Sequence, residues 1–226
     1  MLRTATEKER AYYEESLYPL QDKVLARLLT DRFYLTGGTC LSRFYYDHRY
    51  SDDLDLFYDA HRFPGDEFAG AVRDVLARLG REFTVEVPNI GDQFIRSFVH
   101  DGAVVLKLEF INEPFPTIGE RIVKGTFSID TRENIAVNKI TTVYDRRTVK
   151  DYVDLYHLLR DVPLNRCLEL AESKIVPLDY EGVLMALADQ RLEGEVLMKR
   201  PLDEREFTAF VEKLMNEVLD HAANRR

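Results

Sequence analysis

Hydrophobic residues recur at steps of three and four positions in the first and last parts of the chain. This spacing follows one face of an α-helix. It predicts an N-terminal helix within residues 15–29 that begins after Pro19, and another helix over residues 65–79. From Glu133 onward strand patterns fade, and the helical period predicts helices over residues 135–144, 149–159, 166–173, 180–187 and 203–223.

Short apolar runs and alternating apolar and polar residues occupy much of the stretch between these helices and are typical of β-strands. They predict a short helix over residues 39–46 and strands over residues 33–35, 54–58, 82–87, 94–99 and 103–111. The pair Asp101-Gly102 lies between the last two strands and favours a hairpin turn. We therefore expect a small mixed or antiparallel sheet.

The change of pattern near residue 130 divides the chain into two parts. We expect an α+β domain over residues 1–130, including the N-terminal helix, and a helical domain over residues 131–226. The predicted fold class is accordingly α+β, with a mixed or antiparallel sheet, flanking helices and a C-terminal helical bundle.

Acidic residues outnumber basic ones by 40 to 31, which gives a net charge of −9. Such a chain repels phosphate backbones, so any contact with nucleic acid must be local. The two cysteines, Cys40 and Cys167, are too few for a disulfide framework and are expected to be reduced thiols. The first ten residues do not resemble a secretory signal, and no apolar run approaches the roughly 20 residues of a membrane span. We expect a cytoplasmic protein.

Two aspartates, Asp53 and Asp55, lie at the start of a predicted strand. Residues two apart in a strand point to the same side, so both carboxylates would converge in front of an apolar wall. Like charges this close need a positive partner, and Mg²⁺ prefers oxygen ligands. The pair predicts a magnesium site; the alternative is an acidic strand end exposed to solvent.

A turn of Gly37, Gly38 and Thr39 connects the first predicted strand to the helix that follows it. Backbone N–H groups exposed at such a corner can bind a phosphate. The alternative is an ordinary turn that uses glycine for its positive φ. Because the paired aspartates follow the turn closely in sequence, the two features together indicate a site for a nucleoside triphosphate bound to Mg²⁺.

The strand predicted over residues 103–111 offers a third carboxylate. Val105, Lys107 and Glu109 share its polar face, and the residues between them form an apolar face. If this strand belongs to the same sheet as the paired aspartates, Glu109 completes a two-metal site. The alternative is a glutamate on the surface of a half-buried strand.

Three blocks of sequence resemble the nucleotidyltransferase AbiEii/AbiGii toxin family, which belongs to the polymerase-β-like nucleotidyltransferase superfamily. The resemblance extends over residues 34–156, and the first two blocks are specific in their order and spacing. The blocks are GGTCL at residues 37–41, HRYSDDLDLF at residues 48–57, and Lys139 with Arg146 and KDYVDLY at residues 150–156.

The resemblance implies transfer of a nucleoside monophosphate from an NTP to an acceptor hydroxyl, with release of pyrophosphate. It makes Asp53 and Asp55 ligands of Mg²⁺, or of Mn²⁺, in a two-metal site. Glu109 then either binds metal as well or helps to take the acceptor proton. The nucleotide-binding residues that it implies are Gly37, Gly38, Thr39, Arg49, Ser51, Lys139 and Asp151.

Proteins of this family are toxin components of toxin–antitoxin or phage-defence pairs. The resemblance therefore also implies an NTP substrate, a cognate antitoxin protein, and an acceptor such as tRNA or a protein. Two alternatives stay open at this point. One is transfer to a small hydroxylated molecule such as an aminoglycoside, and the other is an NTP-binding, partner-regulated module without transfer activity.

One departure from the family pattern concerns Lys150-Asp151, where the family shows Arg-Asp. The charge is kept, but the bidentate guanidinium is lost. Asp151 and Asp154 share a helical face, where they either orient a basic residue of the site or pair with Lys150 or Arg147 on the surface. Residues 139–150 hold four basic residues against one acidic residue, which predicts a phosphate-facing patch or a solvated helix junction.

Overall fold

The computed structural model describes residues 1–64, 67–143, 148–174, 179, 182 and 194–224. The chain divides into two compact units, Ala5–Thr131 and a second unit made of Met1–Thr4 with Arg132–Arg226. A mixed β-sheet with helices forms the first unit, and the described part of the second is mainly helical. The predicted α+β class is confirmed.

The elements are numbered in chain order. The strands are β1 (Leu2–Thr4), β2 (Phe33–Thr36), β3 (Leu54–Asp59), β4 (Thr84–Ile90), β5 (Phe94–Asp101), β6 (Val104–Glu113), β7 (Ile122–Lys124), β8 (Phe127–Ile129) and β9 (Val196–Met198). The helices are α1 (Glu7–Tyr12), α2 (Tyr18–Leu25), α3 (Gly37–Leu41), α4 (Phe68–Leu79), α5 (Arg132–Val143), α6 (Val149–Leu158), α7 (Leu164–Lys174) and α8 (Glu204–Ala223).

The sheet of the first unit has the strand order β4-β5-β6-β3-β2-β8-β7. Strand β3 lies near the middle, parallel to β6 on one side and antiparallel to β2 on the other. Strands β5 and β6 form the predicted hairpin, whose Gly102 adopts a φ of +61° that favours glycine. The mixed sheet thus places β3 and β6 side by side.

The two faces of β6 differ in burial as the alternation predicts. Leu106, Leu108 and Phe110 are fully buried, whereas Lys107 and Glu109 on the other face remain partly exposed. The ring of Phe110 packs edge-on against Phe33 of β2, with the ring centroids 5.4 Å apart. The apolar face of the sheet forms the core of the unit, and the opposite face is left for polar side chains.

The N-terminal helix begins earlier than the prediction, which placed its start after Pro19. Thr6 caps α1, and its backbone N–H donates to the side chain of Glu9 in a capping box. A π-helical turn over Tyr13–Leu17 joins α1 to α2, and Pro19 lies in the first turn of α2. Proline lacks the N–H that a continuous α-helix would use, and the wider turn before it accommodates that interruption.

Other differences from the prediction concern short elements. The segment predicted as a helix over residues 39–46 forms α3 followed by a π-helical turn, Ser42–Tyr46. Strands β1, β7 and β8 were not predicted, and β9 contradicts the expected loss of strands after Glu133. Each has three residues, too few to show a period of two. Apart from residue 182, the helix predicted over residues 180–187 lies outside the described residues, and the remaining element ends differ by a few residues.

Helices α5, α6 and α7 pack together in the second unit, and α6 also contacts α8. Tyr156 on α6 packs edge-on against Phe210 on α8, with the ring centroids 5.2 Å apart. Asp203 caps the start of α8 by accepting from two backbone N–H groups. The strand β1 pairs with β9 in parallel. Over the part of the chain described, we find no helix whose length and hydropathy suit a bilayer crossing.

The packing of Phe110 predicts a large stability effect. Phe110→Ala should reduce the free energy of unfolding by about 3–5 kcal/mol, because it leaves a cavity beside Phe33 on the apolar face of the sheet. Urea denaturation followed by circular dichroism measures this change. Phe115→Ala is the control, since Phe115 is 36% exposed in the same unit. Equal losses in both variants would contradict the described core.

Candidate active site

Three carboxylates meet on the polar face of the sheet. Asp55 in β3 lies directly opposite Glu109 in β6, because the two strands are parallel and in that register. Asp53 immediately precedes β3. One carboxylate oxygen from each residue lies within 4.8 Å of the others, and all three side chains are half-buried. The convergence that the sequence suggested is therefore present, with Asp53 placed just before the strand rather than within it.

Side chains from two helices fix the backbone that leads into β3. Thr39 on α3 donates its hydroxyl hydrogen bond to the carbonyl of Asp53. Gln21 on α2 is fully buried, and its Nε2 donates to the carbonyls of Ser51 and Asp52 at 3.2 and 3.1 Å. These contacts hold the chain just before the strand, so the position of Asp53 does not depend on strand pairing alone.

The Gly37-Gly38 turn packs so closely against the site that neither position has room for a side chain. Gly37 has a φ of +69°, and a Cβ there would lie 2.2 Å from Oδ2 of Asp55. A Cβ on Gly38 would lie 2.1 Å from Nη2 of Arg49. Gly37 is favoured both by close approach and by its backbone conformation, whereas a side chain at residue 38 would have to displace the Arg49 guanidinium.

Arg49 and Ser51 are buried against this turn, with 4% and 5% of their surfaces exposed. Nη1 of Arg49 donates to the carbonyl of Tyr50 at 2.9 Å. The hydroxyl groups of Thr39 and Ser51 are hydrogen bonded at 2.9 Å. The structure therefore brings together the turn, Arg49 and Ser51 beside Asp55, as the family resemblance implied for a nucleotide site.

Two cations that the sequence analysis left without a role contact two of the three carboxylates, Asp53 and Glu109. Nζ of Lys107 lies 2.6 Å from Oδ2 of Asp53 and 3.3 Å from Oε1 of Glu109. Nε and Nη2 of Arg96 donate to the same Oε1 at 2.9 and 2.6 Å. Burial alone would lower the pKa of Lys107. Its hydrogen bond to Asp53 and the charges of Asp53 and Glu109 outweigh burial and raise that pKa above its ordinary value.

The sequence did contain a signal for both cations. Lys107 alternates with Glu109 on one face of β6. The hairpin pairs Asp101 with Val104. Counting away from the turn along both strands from that pair brings Arg96 opposite Glu109. A hairpin turn fixes the register of its strands, so this neighbour can be counted from the turn.

A second group of charges lies in the second unit. Nζ of Lys139 on α5 is 2.7 Å from Oδ1 of Asp151 and 2.7 Å from Oδ2 of Asp154, both on α6. Lys139 is 5% exposed, and both aspartates are fully buried. Thr148 also donates to Asp151. The aspartates are buried and pair with Lys139, so they do not form a surface pair. That Lys139 belongs to the nucleotide site stays a prediction.

The basic patch predicted over residues 139–150 stays a prediction. Lys139 contributes its charge to buried ion pairs, and Arg146 and Arg147 lie outside the described residues. Lys150 is partly exposed on α6.

Both cysteines are buried and reduced. Burial raises the pKa of the Cys40 thiol well above its ordinary value, and it raises that of Cys167 to about 12. A nucleophilic cysteine needs a lowered pKa and access to substrate. These thiols therefore pack in the interior.

Solved structures share this fold. MenT4, a nucleotidyltransferase toxin from Mycobacterium tuberculosis H37Rv, is similar with a TM-score of 0.63 and 19% identity over 93% of this chain and 85% of that one. JHP933 from Helicobacter pylori is similar with a TM-score of 0.59 and 20% identity over 99% of each chain. The predicted nucleotidyltransferase core is confirmed by these likenesses.

Sequence comparisons extend over most of the chain. An uncharacterized protein of Aquifex aeolicus (strain VF5) is 28% identical over 171 residues, which cover 74% of this chain and 77% of that protein. The model of the family described as "Nucleotidyl transferase AbiEii toxin, Type IV TA system" matches residues 20–225. With this match and the site on the sheet, the chain belongs to the AbiEii family of toxin-type nucleotidyltransferases.

Proposed function

We propose that the protein transfers a nucleoside monophosphate from a Mg²⁺-bound NTP to an acceptor hydroxyl and releases pyrophosphate. The observation that carries this proposal is the convergence of Asp53, Asp55 and Glu109 within 4.8 Å beside a diglycine turn. Family membership supports nucleotidyl transfer as the reaction class. The identity of the metal, the identity of the acceptor and the roles of individual residues go beyond what family membership shows.

The chemistry of the three side chains fits a hard divalent ion. Each offers a carboxylate oxygen, and none offers sulfur or imidazole nitrogen, so the set suits Mg²⁺ and also Mn²⁺. The bound metal would neutralise phosphate charge and polarise the acceptor oxygen. Glu109 is assigned as the third ligand, because its position opposite Asp55 holds the two carboxylates side by side.

The glycine turn and the buried Arg49 are assigned to the triphosphate. Without side chains at residues 37 and 38, phosphate oxygens can approach the backbone at the place where Asp55 and Arg49 lie against it. The guanidinium of Arg49 is a fixed positive charge that matches phosphate geometry. Thr39 and Ser51 hold each other and the backbone before β3, so they position the turn against the carboxylates.

Lys139 is assigned as a second cation for the nucleotide, positioned by Asp151 and Asp154. The support for this role is the free energy that burial of these three charged groups costs. Burial of one ammonium and two carboxylates offers little net stability over apolar side chains of similar volume, which favours a functional reason for keeping them. The two carboxylates also restrict the rotamers of Lys139.

The proposed acceptor is a tRNA, acting in the cytoplasm, with a cognate antitoxin as the partner that the type IV description implies. A net charge of −9 disfavours wide contact with RNA, whereas a single-stranded end can enter a site with few phosphate contacts.

Incubation with each NTP labelled at the α-phosphate, Mg²⁺ and fractionated cell extract identifies the acceptor. Label in a protein or small-molecule fraction would show that the acceptor belongs to that class and not to tRNA. Nucleotide binding without label anywhere would contradict transfer and favour a binding module.

Removal of the paired aspartates should abolish transfer. The double variant Asp53→Asn, Asp55→Asn is expected to lose at least a factor of about 100 in the rate of label transfer, because charge stabilisation supplies most of the catalysis. Circular dichroism should show an intact fold. Asp52→Asn is the matched control, since the Asp52 carboxylate is exposed and accepts from Tyr13 instead. Normal transfer by the folded double variant would refute the assignment.

A methyl group on the second glycine should impair nucleotide binding. Gly38→Ala places a Cβ where Arg49 now lies, and it is expected to raise KM for the NTP by about tenfold through displacement of the guanidinium. Steady-state kinetics with varied NTP measure this change. Gly70→Ala is the control, because its Cβ would meet only ordinary contacts on α4. An unchanged KM in Gly38→Ala would contradict the assignment of Arg49 to the nucleotide site.

A further inference from the structure

Two of the three carboxylates, Asp53 and Glu109, are already paired with cations that belong to the chain itself. Lys107 bridges the two, with Nζ at 2.6 Å from Asp53 and 3.3 Å from Glu109. Arg96 contacts Glu109 alone, through two nitrogens on one oxygen. The oxygens that these groups use are among those that a divalent ion would need.

The backbone holds both cations in place. Lys107 lies on β6 two residues before Glu109, and therefore on the same face. Arg96 lies on β5 directly opposite Glu109 in the antiparallel register. Both cations lie on strands, and the backbone at Asp53, which precedes β3, is held by side chains from α2 and α3. The fold of the first unit therefore brings these charges together.

The two cations differ in what they can do. Lysine carries a compact charge on a flexible stem, so its ammonium can leave one partner for another at little steric cost. Arg96 is 40% exposed at its side chain and neutralises one carboxylate, whereas Lys107 offsets the repulsion between two. Lys107 is therefore the group whose position overlaps most with that of an ion shared by Asp53 and Glu109.

We infer that Lys107 is an internal counter-ion that holds Asp53 and Glu109 together and competes with the divalent ion for them. This inference rests on the proposed function, since it takes the carboxylates as the metal site. Lys107 keeps the acidic side chains assembled before the ion arrives. The same charge weakens the affinity for the free ion, so occupancy of the site is regulated by a residue that is not itself a ligand.

The test is Mn²⁺ binding to the full-length protein without nucleotide, followed by the electron paramagnetic resonance signal of the free ion. Lys107→Met removes the charge without adding an oxygen ligand, and it should lower the Kd for Mn²⁺ by about tenfold. Arg96→Gln should have a smaller effect in the same direction. Lys107→Arg keeps the charge and should not tighten binding. Lys23→Met is the matched control, because Lys23 pairs with Asp101 at 2.7 Å on an exposed surface.

Thermal unfolding gives a readout that is independent of activity. Without metal, Lys107→Met should unfold at a lower temperature than wild type, because Asp53 and Glu109 then lack the cation that bridges them. Added Mn²⁺ should raise its Tm by more than that of wild type, since a tighter ligand stabilises the folded state further. Lys23→Met should follow wild type in both conditions.

Different failures lead to different conclusions. Wild-type binding that is lost in Asp53→Asn, Asp55→Asn, together with equal or weaker binding in Lys107→Met, would overturn the competition and leave the proposed metal site intact. Tighter binding in Lys107→Arg would also overturn it, because the effect would then not follow charge. No Mn²⁺ binding by wild type or by Lys107→Met would refute the metal site, and the inference with it.

Discussion

Electrostatic repulsion among Asp53, Asp55 and Glu109 is the constraint on which the arrangement of the first unit depends. Parallel pairing of β3 with β6 sets two of these residues side by side, and contacts from α2 and α3 fix the backbone of the third. Half-buried like charges at this separation are unfavourable without a counter-charge. The residues around them can be understood by how each one tolerates or offsets that repulsion.

Each unit joins a lysine to two carboxylates, but in different surroundings. Lys139 is buried between Asp151 and Asp154, where loss of one partner would leave an uncompensated charge in the interior. Lys107 is about one-third exposed at its side chain, and so its carboxylates remain close to water. Burial favours a fixed ion pair, whereas partial exposure permits exchange of one cation for another. The same chemical grouping therefore suits a static role in one unit and a replaceable one in the other.

Much of the fold and of the site could be predicted because it depends on local pattern. The alternation in β6, the hairpin at Gly102 and the diglycine turn are all properties of a few adjacent residues. Thr6 and Glu9 have the spacing of a capping box, which is a local signal for the early start of the N-terminal helix. Three-residue strands such as β8 are formed by tertiary pairing and leave no period to detect. The partners of Lys139 depend on helix packing, which no spacing in the sequence fixes.

Strands β3 and β6 lie inside the sheet, with a neighbouring strand on each side. Their amide hydrogens are consequently protected by pairing on both edges, so amide exchange at Asp55 and Glu109 would require the sheet itself to separate. Deuterium would enter the outer strands β4 and β7 first. The crowded charges of the first unit therefore lie on its most rigid strands. Motions that admit a large substrate must arise in the segments around the sheet and not in β3 and β6.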